Sequence, residues 1–304
     1  SMSSTDFNIP DPPTFKSKSE RFLVKALALL SLVRWYNVLV LTCALYLSAM
    51  YMLNSSISKI ELISDISLNL NILGIASLIM AGYIINGFYD FEKDMINHPE
   101  QTIFGRVISK SFCFNTYLFL LTVGMLFSIF SGWKVFVFNG AFAFGLWFYS
   151  HKLRKKPLTG EIGASFLTIA PFASISIYYM HTNLTIILFV GYIFALTITR
   201  EVIKRMVSLK GDLIVGEKSI PIFFGIRTCK YIILSFMIAS MVMIIVLFPN
   251  ILDRDIAYYF GLSFVAIFLS TFILRASKTP TQFNRINNIY KALIVLAIGS
   301  IFWY

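Results

Sequence analysis

Asn86, Asp90 and Asp94 stand at i, i+4 and i+8 in the segment Ala81–Lys110, AGYIINGFYDFEKDMINHPEQTIFGRVISK. On a helix, residues four apart share one face with a drift of about 40° per step, so an amide oxygen and two carboxylates point the same way. Such a set suits Mg²⁺, which is held by one or two carboxylates together with substrate phosphate oxygens rather than by a closed protein cage. Two acids at a solvated helix end need no ion, and the residues that follow narrow the reading. Asn97-His98-Pro99 interrupts the helix, and Gly105-Arg106 opens a loop with cations nearby, as a diphosphate requires.

These side chains need a scaffold, and the composition says of what kind. Of 304 residues, 57% are hydrophobic, 16% aromatic and only 13% charged, with a mean hydropathy of +0.75. A soluble domain carries about 25% charged residues; the figures also exclude a disordered chain, a collagen repeat and a disulfide framework. Apolar segments fall at 36–54, 68–88, 112–131, 133–149, 161–181, 183–203, 229–249, 256–274 and 287–304, each about the length that crosses a bilayer core. The expected fold is therefore all-α: an integral membrane protein of nine transmembrane helices. A polar tail over 1–20 precedes one membrane domain over 21–304.

The net charge of +11 is distributed as a membrane protein distributes it, and no nucleic-acid partner is expected. Five Lys and Arg lie up to Arg34, three in the second connection, four in the fourth, seven between Arg200 and Lys230 and four in the eighth. Twenty-three of the 26 thus fall on one side, leaving Lys59, Lys134 and Arg254 for the other. The positive-inside rule puts that side, with the N-terminus, in the cytoplasm and the C-terminus outside, as an odd number of spans requires. The protein is expected in the cell membrane as a multi-pass protein with its site facing the cytoplasm. Residues 16–34 alternate basic and apolar positions at helical spacing, which predicts an amphipathic helix lying on the cytoplasmic face or, alternatively, an extension of the first span. The first twenty residues carry no basic–apolar–small cleavage pattern, so no signal peptide is expected. Cys43, Cys113 and Cys229 have no metal spacing and are expected to be buried small apolar residues.

Asn86-x3-Asp90-x3-Asp94 followed by Asn97-x-Pro99 and Gly105-Arg106 resembles the first signature of the UbiA-type intramembrane prenyltransferase superfamily. Arg34-x-x-Asn37 before the first span, Trp147-Phe148-Tyr149-Ser150-x-Lys152-Leu153-Arg154 closing the fourth, and Arg200-Glu201-Val202-Ile203-Lys204 … Gly211-Asp212 … Gly216-x-Lys218-Ser219-Ile220-Pro221 agree with it. The likeness covers nearly the whole chain and is nearest to the branch of digeranylgeranylglyceryl phosphate synthases. It implies a Mg²⁺-dependent transfer of a polyprenyl group from a polyprenyl diphosphate to a lipophilic acceptor among the membrane lipids. The ligand set it implies is Asn86, Asp90, Asp94 and Asp212, with Asp90, Asp94 and Asp212 catalytic. Substrate contacts fall to Arg34, Asn37, Arg106, Tyr149, Lys152, Arg154, Lys204 and Arg205; Lys152 and Arg154 are equally explained as a positive-inside anchor. Charged leaving groups are stabilised by metal and cations as the C–O bond breaks, and an aromatic, water-poor chamber protects an allylic cation.

The chain departs from the pattern at the second signature. Where carboxylates in a frame close to Asp-x-Glu-Asp-x-x-Gly-Asp are usual, it reads Arg205-Met206-Val207-Ser208-Leu209-Lys210-Gly211-Asp212, and only Asp212 remains acidic. Gln101 replaces a frequent basic residue, and Glu161 follows Gly160 where Asn is common. Either Arg205 and Lys210 meet phosphate directly, or the chain is an altered member, a terpene cyclase-like enzyme or an isoprenoid-binding protein without transferase activity. A secondary transporter is disfavoured, because the middle of most spans carries no charge.

Overall fold

The computed structural model describes residues 14–97 and 107–304, the side chains of 92–97 and Val215 excepted. Its long helices are α1 (Lys18–Leu32), α2 (Trp35–Leu47, continued by a wider π turn over Ser48–Leu53), α4 (Ile66–Asn97), α5 (Lys110–Ile129), α6 (Trp133–His151), α7 (Thr159–Tyr179), α8 (Leu184–Val207), α11 (Ile226–Leu247), α12 (Ile256–Ala276) and α13 (Pro280–Ser300). Short helices α3 (Lys59–Ser64), α9 (Leu209–Val215) and α10 (Ile220–Phe224) lie in the connections. Among the described residues there is no strand element.

Among the described residues, eight helices are long and apolar enough to cross a membrane. The remaining expected span, 133–149, is the 19-residue helix α6, which is not among the eight because Lys134, Asn139 and His151 dilute its apolar content. The residues expected to be amphipathic form a helix of their own: α1 buries none of its residues, and Arg34 at φ 50° breaks it from α2. A left-handed non-glycine costs about 1–2 kcal/mol; the Arg34 guanidinium sits over the Tyr83 ring, 5.5 Å from its centroid. Cys113 and Cys229 are buried as expected, whereas Cys43 is exposed on α2, because that helix has only one face against the bundle.

Two helices form the axis. α4 packs on α2, α5, α6 and α7, and α8 on α7, α11 and α13; each has 61% of its most apolar stretch buried, against 39% or less for the others. Small residues let them be approached closely, the usual device where lipid removes the hydrophobic drive between helices. A Cβ on Gly124 of α5 would stand 2.7 Å from the Leu78 side chain and 2.9 Å from the Gly74 carbonyl oxygen of α4. Buried polar bridges fix the register. Asn139 Nδ2 donates to Asn71 Oδ1 at 3.0 Å and to Ser128 Oγ at 2.8 Å, and Ser174 Oγ donates to Asn139 Oδ1 at 2.7 Å, joining α4, α5, α6 and α7. In the second half Tyr192 meets Tyr259 at 2.9 Å and Tyr259 donates to the Leu293 carbonyl at 2.7 Å, joining α8, α12 and α13.

Gly124→Val is expected to destabilise the protein by about 1–3 kcal/mol, the usual cost of overpacking, seen as a lower thermal midpoint in detergent. An unchanged midpoint would show that the α4–α5 crossing has slack.

Candidate active site

The first cluster grows from the last turns of α4. Asn86 and Asp90 lie one turn apart, and Asn86 Nδ2 donates to Asp90 Oδ2 at 3.3 Å. Arg154, from the single 3₁₀ turn Leu153–Lys155 after α6, reaches both: Nη1 donates to Asn86 Oδ1 at 3.0 Å and pairs with Asp90 Oδ2. Ser150 Oγ donates to the same Asn86 oxygen at 3.4 Å. One amide oxygen and one carboxylate oxygen therefore converge on a single point, with Arg154 and Asp90 only 13% and 20% exposed. The side chain of Asp94 and the whole of Arg106 lie outside the described residues.

The second cluster grows from the end of α8. Arg205 Nε donates to Glu161 Oε1 at 3.2 Å, and Nη1 lies 3.4 Å from Glu217 Oε2 and 3.9 Å from Asp212 Oδ2. Ser208 Oγ donates to Asp212 Oδ2 at 3.0 Å. Glu161 and Asp212 are buried, at 3% and 2% exposed. Glu161 and Glu217 were invisible as partners of Arg205 in the sequence, being 44 and 12 residues away; the one signal was that Glu161 is itself an unusual acid at the mouth of an apolar helix.

Tyr149 stands between the clusters, within electrostatic range of Arg154 on one side and of Glu161, Glu201 and Arg205 on the other. A cavity of about 270 Å³ opens beside the second cluster and reaches the first at Arg154; it is lined by Arg154, Lys155, Lys156, Arg205 and Lys218 against the carboxylates of Glu161 and Glu217. Five cations against two anions suit a polyanion. The turn that carries Arg154 is tightly made. Leu158 takes φ 66° and ψ −50°, the Thr159 amide donates to the Pro157 carbonyl at 2.8 Å, and a Cβ on Gly160 would lie 3.0 and 3.1 Å from the carbonyl oxygens of Arg154 and Leu153.

Other sequence-predicted residues stand apart. Lys204 pairs with Glu201 at 2.7 Å. Arg34 rests on Tyr83, one turn before Asn86 on α4. Asn37 and Lys152 are exposed and contact neither cluster. His151 meets Tyr89 at 2.9 Å and stacks on Trp147. An apolar cavity of about 400 Å³ lies toward the opposite end of α7 and α8, among residues such as Met52, Phe172, Ala173, Ile186 and Phe189.

Asn86 and Asp90 offer hard oxygen donors of the kind Mg²⁺ takes, and a carboxylate with an amide is enough when phosphate supplies the rest; both oxygens here meet Arg154 Nη1, whose place an ion would take. Around Arg205 an ion would have to displace a guanidinium that three carboxylates surround, Glu161, Glu217 and, at 3.9 Å, Asp212, whereas Arg154 faces one carboxylate and one amide. Among the described residues no three acidic, His or Cys side chains stand close enough to hold an ion.

The model of the UbiA prenyltransferase family matches residues 61–289. The chain belongs to the UbiA prenyltransferase family. Among relatives, the digeranylgeranylglyceryl phosphate synthase of Methanobrevibacter smithii is 27% identical over 256 residues, covering 78% of this chain and 88% of its own. That of Sulfurisphaera tokodaii is 26% identical over 282 residues, 90% of this chain and 98% of its own. The UbiA fold is shared with a solved UbiA homolog from Archaeoglobus fulgidus bound to GPP and Mg²⁺, with a TM-score of 0.65 at 16% identity over 90% of this chain and 99% of the other. A structure described as giving insights into the biosynthesis of digeranylgeranylglyceryl phosphate synthase in membranes has a TM-score of 0.70 at 19% identity, covering 91% and 99%. In this UbiA member both clusters sit at the ends of the two axial helices, α4 and α8.

Gly160→Val is expected to push the Leu153–Lys155 turn away and to weaken the binding of inorganic diphosphate with Mg²⁺ by about tenfold or more, the scale of one charge-assisted hydrogen bond. Calorimetry in detergent reads it; equal affinity in wild type and variant would mean that Arg154 is positioned by something else.

Proposed function

We propose that this chain transfers a polyprenyl group from a polyprenyl diphosphate to a lipophilic acceptor within the membrane, with Mg²⁺ held at Asn86, Asp90 and Asp94. The observation that carries this reading is the cavity at the end of α8, lined by five cations, one of which, Arg154, also meets the converging oxygens of Asn86 and Asp90 on α4. It takes residues 21–304 as one membrane domain of nine spans, α6 being the ninth. It also sets the mouth of the site in the cytoplasm, because 23 of the 26 Lys and Arg belong to the connections at that end.

In this reading Asn86 and Asp90 would hold the ion, with Asp94 assigned to the set by its spacing in the sequence. Bound Mg²⁺ supplies charge that stabilises the departing diphosphate oxygen. Arg154, Lys155, Lys156 and Lys218 bind the remaining phosphate oxygens as charge-assisted donors. As the C1–O bond of the prenyl group breaks, its electron pair leaves with the diphosphate, and the acceptor's lone pair forms the new bond to C1 while its proton is released. Tyr149, within electrostatic range of Arg154 and Arg205, is proposed as the ring nearest the allylic carbon, suited to a passing cation. Asp212 takes part by holding Arg205, and Lys204, Arg34, Asn37 and Lys152 are assigned to the entrance rather than the reacting atoms; Arg106, outside the described residues, stays a phosphate contact by its place in the sequence. The relatives' name supports a prenylated glyceryl phosphate as acceptor and a geranylgeranyl group as the one transferred.

The apolar cavity supports a long prenyl tail. Ile193, on its wall, precedes Arg205 by twelve residues, roughly 18 Å at 1.5 Å per residue. A tail anchored at the cations and running along α7 and α8 would end there.

Two measurements test this. Purified protein in nanodiscs, given Mg²⁺ and geranylgeranyl diphosphate, is expected to release diphosphate only when a membrane-lipid extract supplies the acceptor, and D90A/D94A should abolish that release. Release without extract would replace the transferase by a cyclase or hydrolase, and release unaffected by D90A/D94A would move the metal elsewhere. Ala173→Phe, which fills the apolar cavity, is expected to shift preference from geranylgeranyl toward farnesyl diphosphate by about tenfold in kcat/KM, a loss of two or so buried CH₂ groups. An unchanged ratio would mean that the tail runs elsewhere.

A further inference from the structure

An arginine ringed by carboxylates is an uncommon neighbour for a site that must attract a polyanion. Arg205 contacts Glu161 and Glu217 and lies 3.9 Å from Asp212, yet it also lines the cavity with Arg154, Lys155, Lys156 and Lys218. A guanidinium has five N–H donors in a rigid fork; the acids meet Arg205 at Nε and Nη1, so its Nη2 is the group that can turn to phosphate.

A second feature of the same wall points to a ligand. Glu161 Oε2 and Ser219 Oγ are buried without a hydrogen-bond partner, both residues are more than nine-tenths buried, and both line this cavity. Such unsatisfied groups cost about 1–3 kcal/mol each, more for a charged one, unless something donates to them or accepts from them. A hydrated diphosphate fits both: its waters can donate to Glu161 Oε2, and its oxygens can accept from Ser219.

We propose that Arg205 is a fixed internal cation at the α8 end of the cavity. The chain then binds its diphosphate with one divalent ion, at Asn86 and Asp90, and Arg205 takes the place where a second ion would otherwise bridge phosphate to protein. The carboxylates around Arg205 serve to hold its fork in position: Glu161 and Asp212 from buried sites, Glu217 from the rim. Positive charge on Arg205 repels a further divalent cation, and the acids are held apart by the guanidinium, consistent with the absence, among the described residues, of any three acids close enough to share an ion. The proposal rests on the reading of the cavity as a diphosphate site.

The test counts ions. Mn²⁺ replaces Mg²⁺ so that bound ions can be counted by electron paramagnetic resonance, with inorganic diphosphate as the ligand and full-length protein in nanodiscs. Wild type is expected to hold one Mn²⁺ per chain in the presence of diphosphate, and N86A/D90A none. Arg205→Gln removes the charge and is expected to raise the count to two, whereas Arg205→Lys, which keeps a cation among the same acids, stays at one. A count of two in wild type overturns the proposal while leaving the diphosphate site intact; no Mn²⁺ in wild type sinks the metal-dependent site and the proposal together. A count of one in a folded Arg205→Gln protein, or two in Arg205→Lys, also overturns it. Should Arg205→Gln fail to fold, the wild-type and Arg205→Lys counts decide.

Discussion

A carboxylate that is almost wholly shielded among apolar helices must have a cation in contact, and Glu161 has Arg205. Removing one partner of such a pair leaves an uncompensated charge and costs about 3–5 kcal/mol. That single requirement organises the end of the bundle. It ties the start of α7 to the end of α8, draws Asp212 and Glu217 toward the same guanidinium, and thereby fixes the path of the chain through α9 and into α10. Arg154 plays the corresponding part at the end of α4, bound to Asn86 and Asp90.

The rest of the molecule serves to bring those two ends together. α4 and α8 are the most shielded helices, and each carries chemistry only in its last turns. Above them the spans are apolar, joined by Asn71, Ser128, Asn139 and Ser174 in one half and by Tyr192, Tyr259 and Ser263 in the other. In lipid a polar side chain without a partner is expensive, so each bridge also works as a register lock. The result is an apolar body with 23 of its 26 Lys and Arg in the connections at the end that carries Arg154 and Arg205, an arrangement that suits a long hydrocarbon with an anionic head.

The two arginines differ in what they do to a metal. Arg154 meets one amide oxygen and one carboxylate through Nη1. Arg205 is held from three sides. In the reading proposed here, the number of carboxylates around each guanidinium, rather than the identity of the side chain, separates a site that an ion enters from one that it does not.

The sequence alone determined the class of protein, the helical architecture, the charge asymmetry and the pattern Asn86-x3-Asp90, because hydropathy over some twenty residues and a four-residue spacing are local properties. The separation of α1 from α2 was legible as amphipathic periodicity, though the break at Arg34 was not. α6 was legible as an apolar run, with only its diluted hydropathy setting it apart. What stayed hidden was every relation across the bundle. At the second signature the sequence showed acids lost and a cation gained, which reads as a damaged metal site; folding brings Glu161 from the start of α7 and Glu217 from beyond α9 to that cation. Lys152 and Lys204 look as suitable as Arg154 and Arg205 in the sequence, yet one is exposed and the other is taken by Glu201. Charge balance in a shielded site is settled by neighbours in space, and no spacing along the chain encodes which neighbours those are.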